Sequence, residues 1–219
     1  MKICIFASGR CGSTSLFHCI DKHLPKFYYS MYEPFHRLKK TSELDEFFLD
    51  LTKKENVFIK TLVGQGSERF DINNGEAIYN GIIDIEKLNN WVYNTFDKII
   101  LLDRRQEDLQ LESMAYHLHL NDDLAWHKKK YYEINKISPI LLEYAKKTLE
   151  NTKKNLVSFG LEHKIKTYYY EDIFVDKNMN VINEIFDYIG IKPNKEMIET
   201  YILSEEFKVR LDKKYNKIL

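Results

Sequence analysis

Two hydrophobic periods alternate along this chain. Lys2–Ala7 (KICIFA) is a nearly unbroken apolar run, which reads as a strand buried on both faces. It breaks into a glycine turn that leads to a helix over Ser13–His23. Val57–Val63 (VFIKTLV) and Asp97–Asp103 (DKIILLD) repeat the strand pattern, and Lys164–Ile173 (KIKTYYYEDI) reads as a fourth strand running into an acidic turn. Between them the pattern predicts helices. One lies around Ser42–Leu51, with Ser42 three residues before Asp45 as its cap, and others at Ile85–Phe96 and Gln106–Leu120. A lysine-rich helix over Lys128–Asn155 carries an apolar stripe at Ile137, Leu141, Tyr144, Ala145 and Leu149, and a last helix stops at Gly190. Strands interleaved with helices predict an α/β fold, a three-layer sandwich on a mainly parallel sheet. Nothing in the pattern divides residues 1–219 into two domains, and the Gly- and Asn-rich stretch GQGSERFDINNG reads as a surface excursion.

Composition narrows the function classes. Thirty-three basic residues balance 33 acidic ones, so the chain lacks the field of a protein that coats nucleic acid, although a small positive pocket is compatible with that balance. No apolar stretch reaches the roughly 20 residues of a membrane-spanning helix, and the start lacks a secretory pattern. Cys4, Cys11 and Cys19 have no CxxC partner and read as reduced thiols, which with the missing leader predicts a cytoplasmic protein. Cys11 lies in the glycine turn, where a positive site would make it reactive and ordinary packing would leave it inert.

That turn, ASGRCGSTSL (residues 7–16), follows the first strand. Backbone amides there face one point and the next helix adds its positive end. Arg10 brings a mobile charge, and Ser13, Thr14 and Ser15 bring hydroxyls, so an anion is the natural guest. The loop lacks the lysine and spacing of a nucleoside-triphosphate loop and does not fit G-x-G-x-x-G. By itself it is equally an ordinary strand-to-helix turn.

A second stretch, IILLDRRQEDLQLESMAYHL, places Arg105 just past a strand and Ser113 eight residues later. With both in view, the chain resembles the PAPS-dependent sulfotransferases, PAPS being 3'-phosphoadenosine 5'-phosphosulfate. The paired arginines Arg104 and Arg105, followed by Gln110 and Ser113, look most like the bacterial and carbohydrate-directed branches, and YYYEDI (residues 168–173) is similar to a family turn. The resemblance runs from Lys2 to about Ile191. It implies a P-loop-like sulfotransferase fold in which Gly9, Arg10, Cys11, Gly12, Ser13, Thr14 and Ser15 hold the 5'-phosphosulfate, while Arg105 and Ser113 hold the 3'-phosphate. PAPS is then the sulfonate donor and PAP the product, with no metal. Two departures stand out: the proline common after the 3'-phosphate arginine is absent, and only residues 205–219 offer basic contacts in place of a glycine-rich C-terminal loop.

Sulfuryl transfer needs a base across the sulfur from the phosphate cradle and positive groups lining the cradle. The resemblance puts a catalytic glutamate at Glu33 in YEPFHRL, with His36 as the alternative base. Arg10 is expected on the sulfonate or 5'-phosphate, and Lys60 is expected to carry its charge from a strand end into the cleft or to snorkel to solvent. Tyr28, Tyr32 and Phe35, flanking Glu33, are expected to contact the acceptor, and Gln110 to orient the turn or meet the acceptor. Tyr170, Glu171 and Asp172 read as a turn and cap. His117 and His119, two residues apart, share no helical face and predict no metal site. The expected partner is a hydroxyl-bearing acceptor, a saccharide first and a protein tyrosine or small alcohol after it, with neither nucleic acid nor membrane involved. Two other classes remain at this point: a noncatalytic nucleotide- or polyanion-binding protein, suggested by lysines 128–130 and 153–154, and a nucleotide kinase.

Overall fold

The computed structural model describes residues 1–37, 41–63, 69–71, 76–78, 84–119 and 138–203, with the backbone alone at 36–37, 41–43, 69–71, 76–78 and 116–119. In chain order the strands are β1 (Lys2–Ala7), β2 (Tyr29–Tyr32), β3 (Val57–Leu62), β4 (Arg69–Asp71), β5 (Glu76–Ile78), β6 (Lys98–Asp103) and β7 (Thr167–Tyr169). The helices are α1 (Ser13–His23), α2 (Thr41–Lys53), α3 (Ile85–Thr95), α4 (Glu107–His119), α5 (Pro139–His163), α6 (Met179–Tyr188) and α7 (Lys195–Ile198). Five strands form a parallel sheet in the order β2-β3-β1-β6-β7, and β4 pairs antiparallel with β5 apart from it. The chain is therefore α/β.

Side chains on a strand alternate between faces, so each face of the sheet buries its own set. Ile3, Ile5 and Ala7 of β1 pack with Leu16, Phe17 and Ile20 of α1 and with Ile182, Ile185 and Phe186 of α6. On the opposite face Cys4 and Phe6 pack with α2, with Trp91 of α3, and with Leu156 and Phe159 of α5. Helices on both faces, as in a three-layer sandwich, are why β1 and β6 are apolar almost throughout. Among the described residues no helix is long and apolar enough to cross a membrane.

Several boundaries differ from the sequence pattern. β2 is a fifth strand that the pattern does not announce, because its four residues are all half-buried or exposed and form no apolar run. The strand expected from Lys164 begins only at Thr167, and the acidic turn expected after it forms at Glu171–Val175, a π-helical turn whose Ile173 and Phe174 enter the core. Helix α5 continues past Asn155 to His163. This is possible because Gly160 lies directly on the sheet, where an added Cβ would stand 3.0 Å from Leu101 Cδ1. Residues 128–137, the expected start of that helix, lie outside the described residues.

The strand order fixes where a ligand can sit. From β1 the chain moves to β2 and returns through β3, then crosses to β6 on the other side of β1. The connections after β1 and β6 therefore diverge at the carboxyl ends of these two strands, which is the position of ligand crevices in open α/β sheets.

Candidate functional site

The turn after β1 is built from below. The Ser8 amide continues the ladder to Leu102 O at 3.0 Å, and its hydroxyl donates to Asp103 Oδ1 at 2.6 Å. Gln110, fully buried in α4, donates from Nε2 to Ser8 Oγ at 2.9 Å and to Gly9 O at 2.6 Å. Lys153 of α5 pairs with Asp103 at 3.5 Å and Glu107 at 3.3 Å, and donates to Arg104 O. The end of β1 is thereby tied to the end of β6. None of Ser8, Asp103 or Lys153 belongs to the expected site. The sequence leaves Lys153 either in a polyanion groove or on a solvated helix face; its side chain is instead only 14% exposed and is turned to Asp103 and Glu107. Gln110 thus orients the loop, and its burial takes it away from an acceptor.

The loop turns at two left-handed residues, Arg10 (φ 62) and Gly12 (φ 78). For a non-glycine residue that conformation is uncommon, and it concentrates at sites where the fold imposes it. Gly12 is required here: an added Cβ would stand 2.6 Å from Phe174 Cε2 and 2.8 Å from Tyr170 Cδ2. Helix α1 begins at Ser13 with no side-chain cap, so the positive end of its dipole lies at the turn after β1, where the Ser15 amide donates to Gly12 O at 3.1 Å. Ser13 and Ser15 are buried in that turn, leaving Thr14 as the more accessible of the three hydroxyls. The Cys11 side chain is inaccessible. It donates to Ser8 O at 2.9 Å, and burial pushes its thiol pKa up, the inert of the two outcomes. At 0% exposure Cys11 packs beneath the loop, with neither its side chain nor its backbone at the surface.

Arg10 and Ser113, 103 residues apart, meet directly, Arg10 Nε donating to Ser113 Oγ at 2.8 Å. Arg105 does not join them. Its guanidinium forms two parallel bonds to Asp172 at 2.7 and 2.8 Å and lies over the Tyr169 ring at 4.1 Å. That pair holds the Arg105 pKa above its ordinary value. Arg104 lies over Tyr170 at 4.5 Å and 4.0 Å from Glu171.

Glu171 is the keystone of this corner, accepting from the Arg105 amide at 3.0 Å and from the Gln106 amide at 2.9 Å. Burial pushes its pKa up, but these backbone donors and Arg104 pull harder, so the carboxyl lies below its usual 4.5. A depressed folded-state value means that Glu171 stabilises the fold fully above pH 4.5 and loses that contribution as pH falls through its folded-state value. Glu171→Gln is expected to lower the thermal midpoint at neutral pH, and the gap to wild type is expected to narrow in acid below 4.5, as read by melting curves across that range.

On the other side of β1, Glu33 follows β2 with φ 44, and its amide donates to Lys60 O at 2.9 Å. Register places Tyr32 beside Lys60. Lys60 is 2% exposed; its Nζ contacts Glu33 Oε1 and donates to Tyr32 OH at 3.5 Å, so it does not snorkel to solvent. Burial lowers the Lys60 pKa to about 7 and Arg10 adds to the fall, against an opposing effect of Cys11. The Glu33 carboxylate at Nζ also favours the ammonium form.

The aromatic expectations divide. Tyr32 stands at the rim of the site, its hydroxyl 2.9 Å from Thr14 Oγ1. Tyr28 does not, because Tyr29 pairs level with Val57 and hence with Lys2, at the amino ends of the strands. Four residues of strand separate Tyr28 from Tyr32, about 13 Å at roughly 3.3 Å each. Phe35 is a core residue, edge-on to Phe47, Phe48 and Trp91 rather than facing an acceptor. His36 lies in the 3-10 turn Pro34–Arg37, and its side chain, like those of His117 and His119, lies outside the described residues, as do lysines 128–130 and residues 205–219.

Comparison with known proteins leaves the assignment to this geometry: no protein-family model matches the chain, and no curated protein matches it.

Proposed function

We propose that this chain is a sulfotransferase that moves a sulfonate from PAPS to a hydroxyl, on a saccharide by preference, with a P-loop-like sulfotransferase fold. The observation that supports the reading is the Arg10–Ser113 contact, by which the loop after β1 and the helix after β6 meet in one corner at the carboxyl edge of the sheet. Residues 9–15 would hold the 5'-phosphosulfate through backbone amides, Arg10 and Thr14, while Ser113 and Arg105 would hold the 3'-phosphate. The Arg105–Asp172 pair is half exposed, and such pairs contribute only about 0.2–1 kcal/mol, so a phosphate dianion can displace Asp172.

Glu33 then takes the acceptor proton as the oxygen attacks sulfur, and the bond from sulfur to the 5'-phosphate breaks to release PAP. Arg10 and Lys60 offset the charge that develops on the leaving phosphate. One observation favours a purely binding role instead: the ion pair with Lys60 lowers the basicity of Glu33.

Titration calorimetry with PAP, AMP and magnesium ATP tests the donor. PAP is expected to bind about tenfold or more tightly than AMP, as one charge-assisted contact implies, and Ser113→Ala or Arg105→Ala should erase most of that margin. Preference for ATP would favour a nucleotide kinase. PAP binding without transfer of labelled sulfonate to saccharide, phenol or alcohol acceptors would favour the binding role.

A further inference from the structure

The Tyr32 hydroxyl lies between the first turn of α1 and the Lys60–Glu33 pair. On one side it is 2.9 Å from Thr14 Oγ1, in the first turn of α1; on the other it is 3.5 Å from Lys60 Nζ, which itself contacts Glu33. The phenol thus bridges the amino end of α1 and the Lys60–Glu33 ion pair. Its direction is held by neighbours: the ring lies over Lys60 at 4.5 Å, edge-on to Phe17 at 5.7 Å and stacked on His18 at 6.0 Å. At 42% exposure it is open to a bound reagent. An anion seated on the first-turn amides of α1 brings its sulfur near Thr14, and attack requires a separation of only about 3–3.5 Å. A phenol also gives up its proton far more readily than a sugar hydroxyl.

We propose that Tyr32 is itself a sulfonate acceptor, so that with PAPS and no other acceptor the chain sulfates its own Tyr32; this rests on the donor reading above. Tyr32 Oη attacks sulfur and forms the new O–S bond, while the bond from sulfur to the 5'-phosphate oxygen breaks and its electron pair leaves on PAP. Lys60 Nζ takes the phenolic proton as it passes its own to Glu33, leaving an ammonium, a carboxylic acid and a tyrosine sulfate ester.

The full chain is incubated with PAPS alone, digested and mapped by mass spectrometry under conditions that preserve sulfate esters, with released PAP measured in parallel. The expected result is one SO3 group on the peptide holding Tyr32, PAP released in equal amount, and loss of both in Tyr32→Phe. Because the label is located in the wild-type digest, the answer does not depend on how that variant folds. Tyr29, at the opposite end of β2 and also exposed, is the internal control. Label absent from Tyr32, or spread over Tyr29 and other tyrosines, while PAP still competes for bound PAPS, overturns self-sulfation and leaves the donor reading in place. If neither PAPS nor PAP binds, the donor reading fails and self-sulfation with it.

Discussion

Replacing Glu33 with Gln is expected to lower sulfonate transfer from PAPS to an external acceptor by about 10²–10⁴-fold, the usual worth of a positioned general base. PAP affinity is expected to persist. Gln keeps the shape and an oxygen for Lys60 but cannot take a proton, and the change lies across β3 from the Arg10–Ser113 corner. Removing one partner of a buried ion pair ordinarily costs about 3–5 kcal/mol. Here the cost is moderated because Lys60, already lowered to about 7 by burial, can shed its charge when the carboxylate is gone. Transfer rate and PAP affinity measured on the same preparation separate lost chemistry from lost fold. Undiminished transfer would move the role to His36.

Gly12→Ala is expected to destabilise the protein by about 2–5 kcal/mol, combining the left-handed backbone cost of about 1–2 with overpacking of about 1–3. For a chain of this size that is a fall in thermal midpoint on the order of 10 °C. Both contributions are visible at this residue: φ is 78, and the new methyl meets the rings of Phe174 and Tyr170, which are stacked on each other at 5.1 Å. Gly9→Ala makes the contrast. Its methyl would come 2.5 Å from Met114 Cε, the end of a flexible side chain that can swing aside, and no positive φ adds strain. Melting curves of the two variants should therefore separate widely, and equal midpoints would refute the account of Gly12. PAP binding should weaken in Gly12→Ala as the loop shifts.

The legible elements are those with a strong period. β1, α1, β3, α3 and β6 begin and end within a residue or two of their pattern, since buried parallel strands are apolar on both faces and their ends are marked by charge or glycine. β2 was illegible because a four-residue edge strand borrows its order from β3 through backbone pairing rather than from its own side chains. The same gap misplaced two aromatic residues. Without the strand, Tyr28, Tyr32 and Phe35 look equivalent around Glu33, whereas the pleat and the following turn send one to the far edge, one to the rim and one into the core.

Residue types and local chemistry were written in the chain: an arginine and hydroxyls in a glycine turn, a lysine within an apolar strand, arginines ahead of a serine. Local pattern suffices for these because period decides which face is buried and glycine decides where the backbone can turn. Which charges meet was decided by tertiary structure. Arg10 finds Ser113, Lys60 finds Glu33, and Arg105 turns to Asp172, because parallel register aligns the strand ends and long side chains reach only what that alignment brings near. Separations of 27, 67 and 103 residues leave no trace in any local window.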